Sequence, residues 1–101
     1  MIKLTIKVIR NKKDLRKYQD KYKLATDDFM DSYGLTWHLD NNLHIVYIRK
    51  GLKKSVLYST IAHEALHICQ SYFSSIGEEK PGDEIYATFL HTVYEKIYKK
   101  L

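Results

Sequence analysis

Residues 63–67 read His63-Glu64-Ala65-Leu66-His67. On a helix, positions i and i+4 share one face, with Cβ atoms about 5–6 Å apart. That separation lets two imidazoles meet one metal ion at about 2.0–2.1 Å from each nitrogen. Glu64 follows the first histidine by one position and is rotated off the metal axis, so its carboxylate can touch a water at the ion instead of the ion itself. The chemistry open to such a pattern is hydrolysis by metal-activated water, with Glu64 as general base. At the His and Glu content of this chain the pattern arises by chance about once in a hundred sequences of this length. The surrounding run, residues 55–73, contains no Gly or Pro, and Ser55 is placed to cap a helix after the basic loop 50–54. Ala62, Ala65, Leu66, Cys69 and Phe73 give that helix apolar positions at helical spacing.

Two histidines do not hold a catalytic zinc well; three protein ligands and one open position are usual. Glu84, at the start of a second helix, is the expected third ligand, because the segment 74–83 can fold that helix back beside the first. Ala87, one turn on, would allow close approach of the two helices. Asp83 is a competitor better suited to capping the helix or facing its dipole. His91 lies about 10 Å further along the axis, and is read either as a cleft-lining proton donor or oxyanion stabiliser or as a histidine hydrogen-bonded between helices. Glu78 and Glu79 fall in a polar loop and are read as solvated. Tyr47, Tyr58 and Tyr94 are candidate oxyanion donors among nine tyrosines, most of which must be packing residues. His38 and His44 flank a turn. They are read as exposed strand residues that could pair, or take an adventitious metal.

The elements that position these groups follow from periodicity. Residues 2–9 alternate, with Ile2, Leu4, Ile6 and Val8 on one face, as a half-buried strand does. Asn11 caps a helix over 12–22 with Leu15, Tyr18 and Tyr22 as its stripe. Residues 24–34 read as a loop or short helical turn. Strands over 35–39 and 43–49 are joined by Asp40-Asn41-Asn42, residues that tolerate positive φ. The second of these strands is apolar on both faces and is expected at the centre of the sheet. The metal-motif helix ends near Gly77, and Pro81 opens a last helix over about 82–100 with Tyr86, Leu90, Val93, Ile97 and Leu101 packed inward. The expected order is β-α-β-β-α-α in one domain, residues 1–101.

The 101 residues carry a net charge of +5, unevenly spread. Residues 1–23 hold nine Lys/Arg against two Asp, whereas residues 59–84 hold one Lys against five acids. The basic N-terminal face is read as a solvated surface, with nucleic acid or an acidic partner as the functional alternative. No apolar run approaches a membrane span, no secretory h-region is built at the start, and the single Cys69 cannot form an internal disulfide. These features point to the cytoplasm. Cys69 is about 200° around the helix from His67 and reads as a buried core thiol.

His63-Glu64-x-x-His67 followed by Glu84-x-x-Ala87 resembles the zincin-type metallopeptidases with a glutamate third ligand, in particular the minimal cores of the ImmA/IrrE-like peptidases. Gly34-Leu-Thr-Trp, Ala62-His-Glu-Ala and Gly82-Asp-Glu also resemble small HExxH proteins of bacteriophages and prophages. The similarity covers about residues 34–95. It implies an α+β fold with a minimal zincin-like core: a three-stranded, mostly antiparallel sheet, an N-terminal helix, the HExxH helix and a C-terminal helix. It implies Zn2+ on His63, His67 and Glu84, Glu64 as catalytic base, and an edge strand that holds an extended peptide or protein substrate. The chain lacks an added domain to wall a peptide cleft, so a zinc-stabilised binding or regulatory module without hydrolysis is the alternative expectation.

Overall fold

The computed structural model describes residues 3–24, 32–78 and 81–101. The order is β1 (Thr5–Ile9), α1 (Lys12–Tyr22), β2 (Gly34–Leu39), β3 (Leu43–Ile48), α2 (Lys54–Ser75) and α3 (Asp83–Tyr98). This is an α+β fold with the element order read from periodicity. Ile2, Glu79 and most of the 24–34 loop lie outside the described residues.

The sheet has strand order β1-β3-β2. β3 pairs parallel with β1 and antiparallel with β2, so the sheet is mixed and not mostly antiparallel. The cause is the connection: residues 10–42 separate β1 from β3 and include α1, long enough for a crossover that returns the chain in the same direction. β2 and β3 are joined by the short 40–42 turn, where Asn41 and Asn42 adopt φ of 62° and 53°. β3 is central and covered on both faces, as its unbroken apolar run requires.

Each face of the sheet builds its own core. Ile45, Tyr47 and Ile9 meet Leu15 of α1 and Leu24 on one side. On the other, Ile6, Val46 and Ile48 meet Ile61, Ala65, Ile68, Cys69 and Phe73 of α2, and Val93 and Ile97 of α3. α1 starts where Asn11 accepts a hydrogen bond from the Asp14 amide at 2.8 Å. α2 begins at Lys54, not after a Ser55 cap; its N-cap position is Lys53, which makes no side-chain capping bond. Ala62 and Leu66 face outward, because the buried stripe of α2 runs through Ile61, Ala65, Ile68 and Cys69 instead. α2 stops at Gly77, whose φ of +77° closes the last turn, with Glu78 N–H donating to the Phe73 carbonyl at 2.9 Å and Gly77 N–H to that of Ser74 at 3.1 Å.

α3 runs back along α2. Phe73 stacks on Tyr86 (centroids 5.4 Å) and Tyr72 on Phe89 (4.6 Å), which fixes the register of the helix hairpin. No helix among the described residues is long and apolar enough to cross a membrane. Ile68 is fully buried between sheet and helices, whereas Ile85 is 62% exposed. Urea unfolding should therefore show Ile68→Ala losing about 2–5 kcal/mol and Ile85→Ala losing less than about 0.5 kcal/mol.

Candidate metal centre

The helical spacing of the motif does what it must: His63 and His67 project outward from α2 with their rings edge to face, centroids 4.6 Å apart and Nε2 atoms 3.0 Å apart. Glu64 lies between them in sequence, about 100° around the helix from His63, turned toward the sheet and 4% exposed. Its Oε1 accepts a hydrogen bond from the Thr36 hydroxyl at 2.8 Å.

β2 makes this placement possible. Gly34, Thr36 and His38 alternate onto the face that meets α2. A Cβ on Gly34 would stand 2.8 Å from Thr60 Cγ2, 3.0 Å from the Tyr47 carbonyl oxygen and 3.3 Å from Glu64 Cγ. Only glycine leaves room for α2 to settle this closely on the strand. Two residues beyond, Thr36 meets the carboxylate. Two beyond that stands His38, opposite His44 of β3.

A groove of about 610 Å3 runs beside these residues, lined by Ser32, Tyr33 and Gly34 on the strand side and by Val56, Ser59, Thr60, His63 and Glu64 on α2. β2 is the end strand of the sheet among the described residues. His63 and the buried Glu64 carboxylate thus line a groove that opens beside the first residue of the end strand.

His38 and His44 face each other across the β2–β3 ladder, Nδ1 to Nδ1 at 2.7 Å. His38 is exposed, but His44 is not: it is 1% exposed and its Nε2 has no hydrogen-bond partner. Its strand position turns it toward the α2–α3 side of the sheet, where the helices cover it. Burial first, and the charge of His38 second, lower His44 to about 4. Burial first, and His67 second, lower His38.

The structure does not bring Glu84 to the imidazole pair. Glu84 is exposed and lines a separate groove with Phe73, Ile76 and Ile85. The Phe73–Tyr86 stack sets the first turn of α3 against the last turn of α2. From His67 to Phe73 and Ile76 is six to nine residues, about 9–13 Å of helix rise. Ala87 faces outward and does not bring the helices together. Among the described residues, no three His, Cys, Asp or Glu side chains are grouped to hold a metal ion. His91 is also elsewhere: it is exposed on α3 and paired with Glu95 of the same helix at 3.1 Å, in a shallow groove shared with Tyr58 of α2 and Tyr94. Tyr47 is buried in the α1-side core, away from the groove. Cys69 is a fully buried thiol, pushed up to about 11 by burial.

Sequence reading missed Gly34, Thr36 and Tyr33 as site residues. The signal for the first two was present in the period of two that puts residues 34, 36 and 38 on one strand face. Gly34→Ala should cost about 1–3 kcal/mol through overpacking, read as a lowered melting temperature. His44 gives a second test, on metal-free protein. Its unfolded form protonates near 6.5 and its folded form near 4. The unfolded state therefore binds the proton first, and stability is complete above that window and lost as pH falls through it, by on the order of 3 kcal/mol. Unfolding free energies measured across this range should show the slope, and His44→Leu should flatten it. In comparison with known proteins, the chain matches no family model, no curated protein and no solved structure.

Proposed function

We propose that this protein is a metal-dependent peptidase that carries zinc on His63 and His67 and uses Glu64 as general base. One observation supports the reading: two imidazoles at metal-binding separation on the helix that carries a buried, anchored carboxylate, with His63 and Glu64 lining one groove. Two nitrogens at 2.0–2.1 Å from a tetrahedral ion stand about 3.3 Å apart, and the Nε2 atoms here are 3.0 Å apart. The pair needs little movement to accept an ion.

When bound, zinc supplies Lewis acidity that acidifies a water and polarises a carbonyl. The chain supplies the rest. Thr36 holds Oε1 of Glu64, so Oε2 is the oxygen that takes a proton from the water and returns it to the leaving amine. β2 offers main-chain donors and acceptors to an extended peptide, which would lie in the groove between Tyr33 and Ser59. The low exposure of Glu64 limits competing hydrogen bonds from bulk water.

A second reading is a module that grips an extended segment along β2 without cutting it. The lack of a grouped third donor among the described residues favours it. A further role of the basic β1–α1 segment in nucleic-acid binding would appear as a gel shift that weakens steeply as salt rises. Elemental analysis of the purified chain, together with hydrolysis of a mixed peptide library, separates the peptidase from the module. The peptidase should carry about one equivalent of zinc, lost in His67→Ala. Glu64→Gln should keep the metal and lose on the order of 10²–10⁴ in rate. Unaltered turnover by Glu64→Gln rules out its role as base, and intact peptides retained by the parent protein favour the module.

A further inference from the structure

Where α3 passes the N-terminal part of α2, a shallow groove of about 410 Å3 is walled by phenol rings: Tyr58 of α2, and His91, Tyr94, Glu95 and Tyr98 of α3 line it. We propose that this groove binds the methylated ammonium group of a small choline-like cation, held against the rings of Tyr58, Tyr94 and Tyr98 with Glu95 as its counter-charge. The site is independent of the metal reading of His63 and His67.

The α3 members stand at i, i+3, i+4 and i+7, a single stripe of the helix, and Tyr58 meets that stripe from α2. The rings of Tyr58 and Tyr98 have centroids 6.3 Å apart and planes tilted by 46°. Such a pair is neither stacked nor edge to face. A cation in front of it can lie within about 6 Å of both centroids, the range of a cation–π contact. Tyr94 joins them: burial first, then Tyr58 and Tyr98, push its hydroxyl up, which places the three phenols within mutual reach. Tyr58 and Tyr98 are 42% and 51% exposed, so their rings are open to a ligand. The chain's own cation–ring contacts are elsewhere, at Tyr18, Tyr22 and Tyr33.

Glu95 supplies the negative charge. It accepts from His91 Nε2 at 3.1 Å and stands 4.0 Å from Lys99 Nζ. Both pairs are exposed, and exposed pairs contribute little. The carboxylate can therefore turn to an incoming cation without abandoning a buried partner. A methylated ammonium has no N–H group to satisfy, and aromatic faces offer it attraction for its charge and apolar contact for its methyls. Both walls of the groove are helices, whose backbone groups are bonded within the helix. No strand edge is offered here to an extended peptide, which favours a small ligand.

The test titrates the full chain, labelled with 13C in tyrosine, with choline chloride. The ring signals of Tyr58, Tyr94 and Tyr98 should shift together along one saturation curve, while those of Tyr18 and Tyr22 stay in place. Neohexanol, the neutral carbon isostere of choline, should bind about fivefold more weakly or worse. Tyr58→Leu and Tyr98→Leu should each weaken choline binding about two- to fivefold, whereas Tyr98→Phe keeps the ring and should retain it. Should the leucine variants fail to fold, the comparison of choline with neohexanol on the parent chain still decides. No saturable shift with choline, equal binding of neohexanol, or unchanged affinity in both leucine variants overturns the proposal. Ring shifts with phosphatidylcholine vesicles but none with choline assign the groove to a membrane surface and overturn the small ligand.

Discussion

The contact between α2 and the edge strand β2 is the constraint on which the site depends. It exists because Gly34 has no side chain. With Thr60 and Glu64 seated against the strand, the Thr36 hydroxyl can reach the carboxylate, and the two motif histidines are turned out beside the sheet edge. The apolar stripe of Ile61, Ala65, Ile68 and Cys69 drives the helix onto the sheet, but nondirectional apolar burial alone does not specify its register to the atom. The glycine and the Thr36–Glu64 bond remove that freedom. The packing of α2 and the placement of the Glu64 carboxylate are thus set by the same few atoms.

This arrangement divides α2 lengthwise. One side carries the fully buried stripe and, toward its C-terminal end, the aromatic seam of Tyr72, Phe73, Tyr86 and Phe89 that binds α3. The other side carries His63 and His67, and His63 lines the groove. Glu84 on α3 is accordingly found with Tyr72, Phe73 and Ile76 at the C-terminal end of α2. The exposed groove around Ile76, Glu84 and Ile85 is a feature of the helix hairpin, not an extension of the motif site.

Much of the fold was legible in the sequence because its signals are local. Asn11 announces a helix start through a side chain that satisfies an open amide, and β3 announces its central position by being apolar on both faces. The motif spacing likewise guaranteed that His63 and His67 would meet. What could not be read were relations between elements. The position of Glu84 depends on the register of the α2–α3 hairpin, which is set by ring stacking between residues far from the motif. The burial of His44 depends on which side of the sheet the helices cover, and an alternating strand pattern does not state that. The parallel pairing of β1 with β3 is a choice of topology that neither strand encodes alone.

That pairing bears on how the chain reaches its folded form. β1 and β3 meet only after an intervening stretch of 33 residues has been closed (residues 10–42). The β2–β3 hairpin and the α2–α3 pair are local and can assemble on their own timescales, with little loop entropy to overcome. β1 precedes its neighbour strand in the chain and can pair only once β3 is present. Until β1 docks, the edge of β3 that it covers is unpaired, so this pair closes the longest loop in the sheet and carries its largest closure entropy.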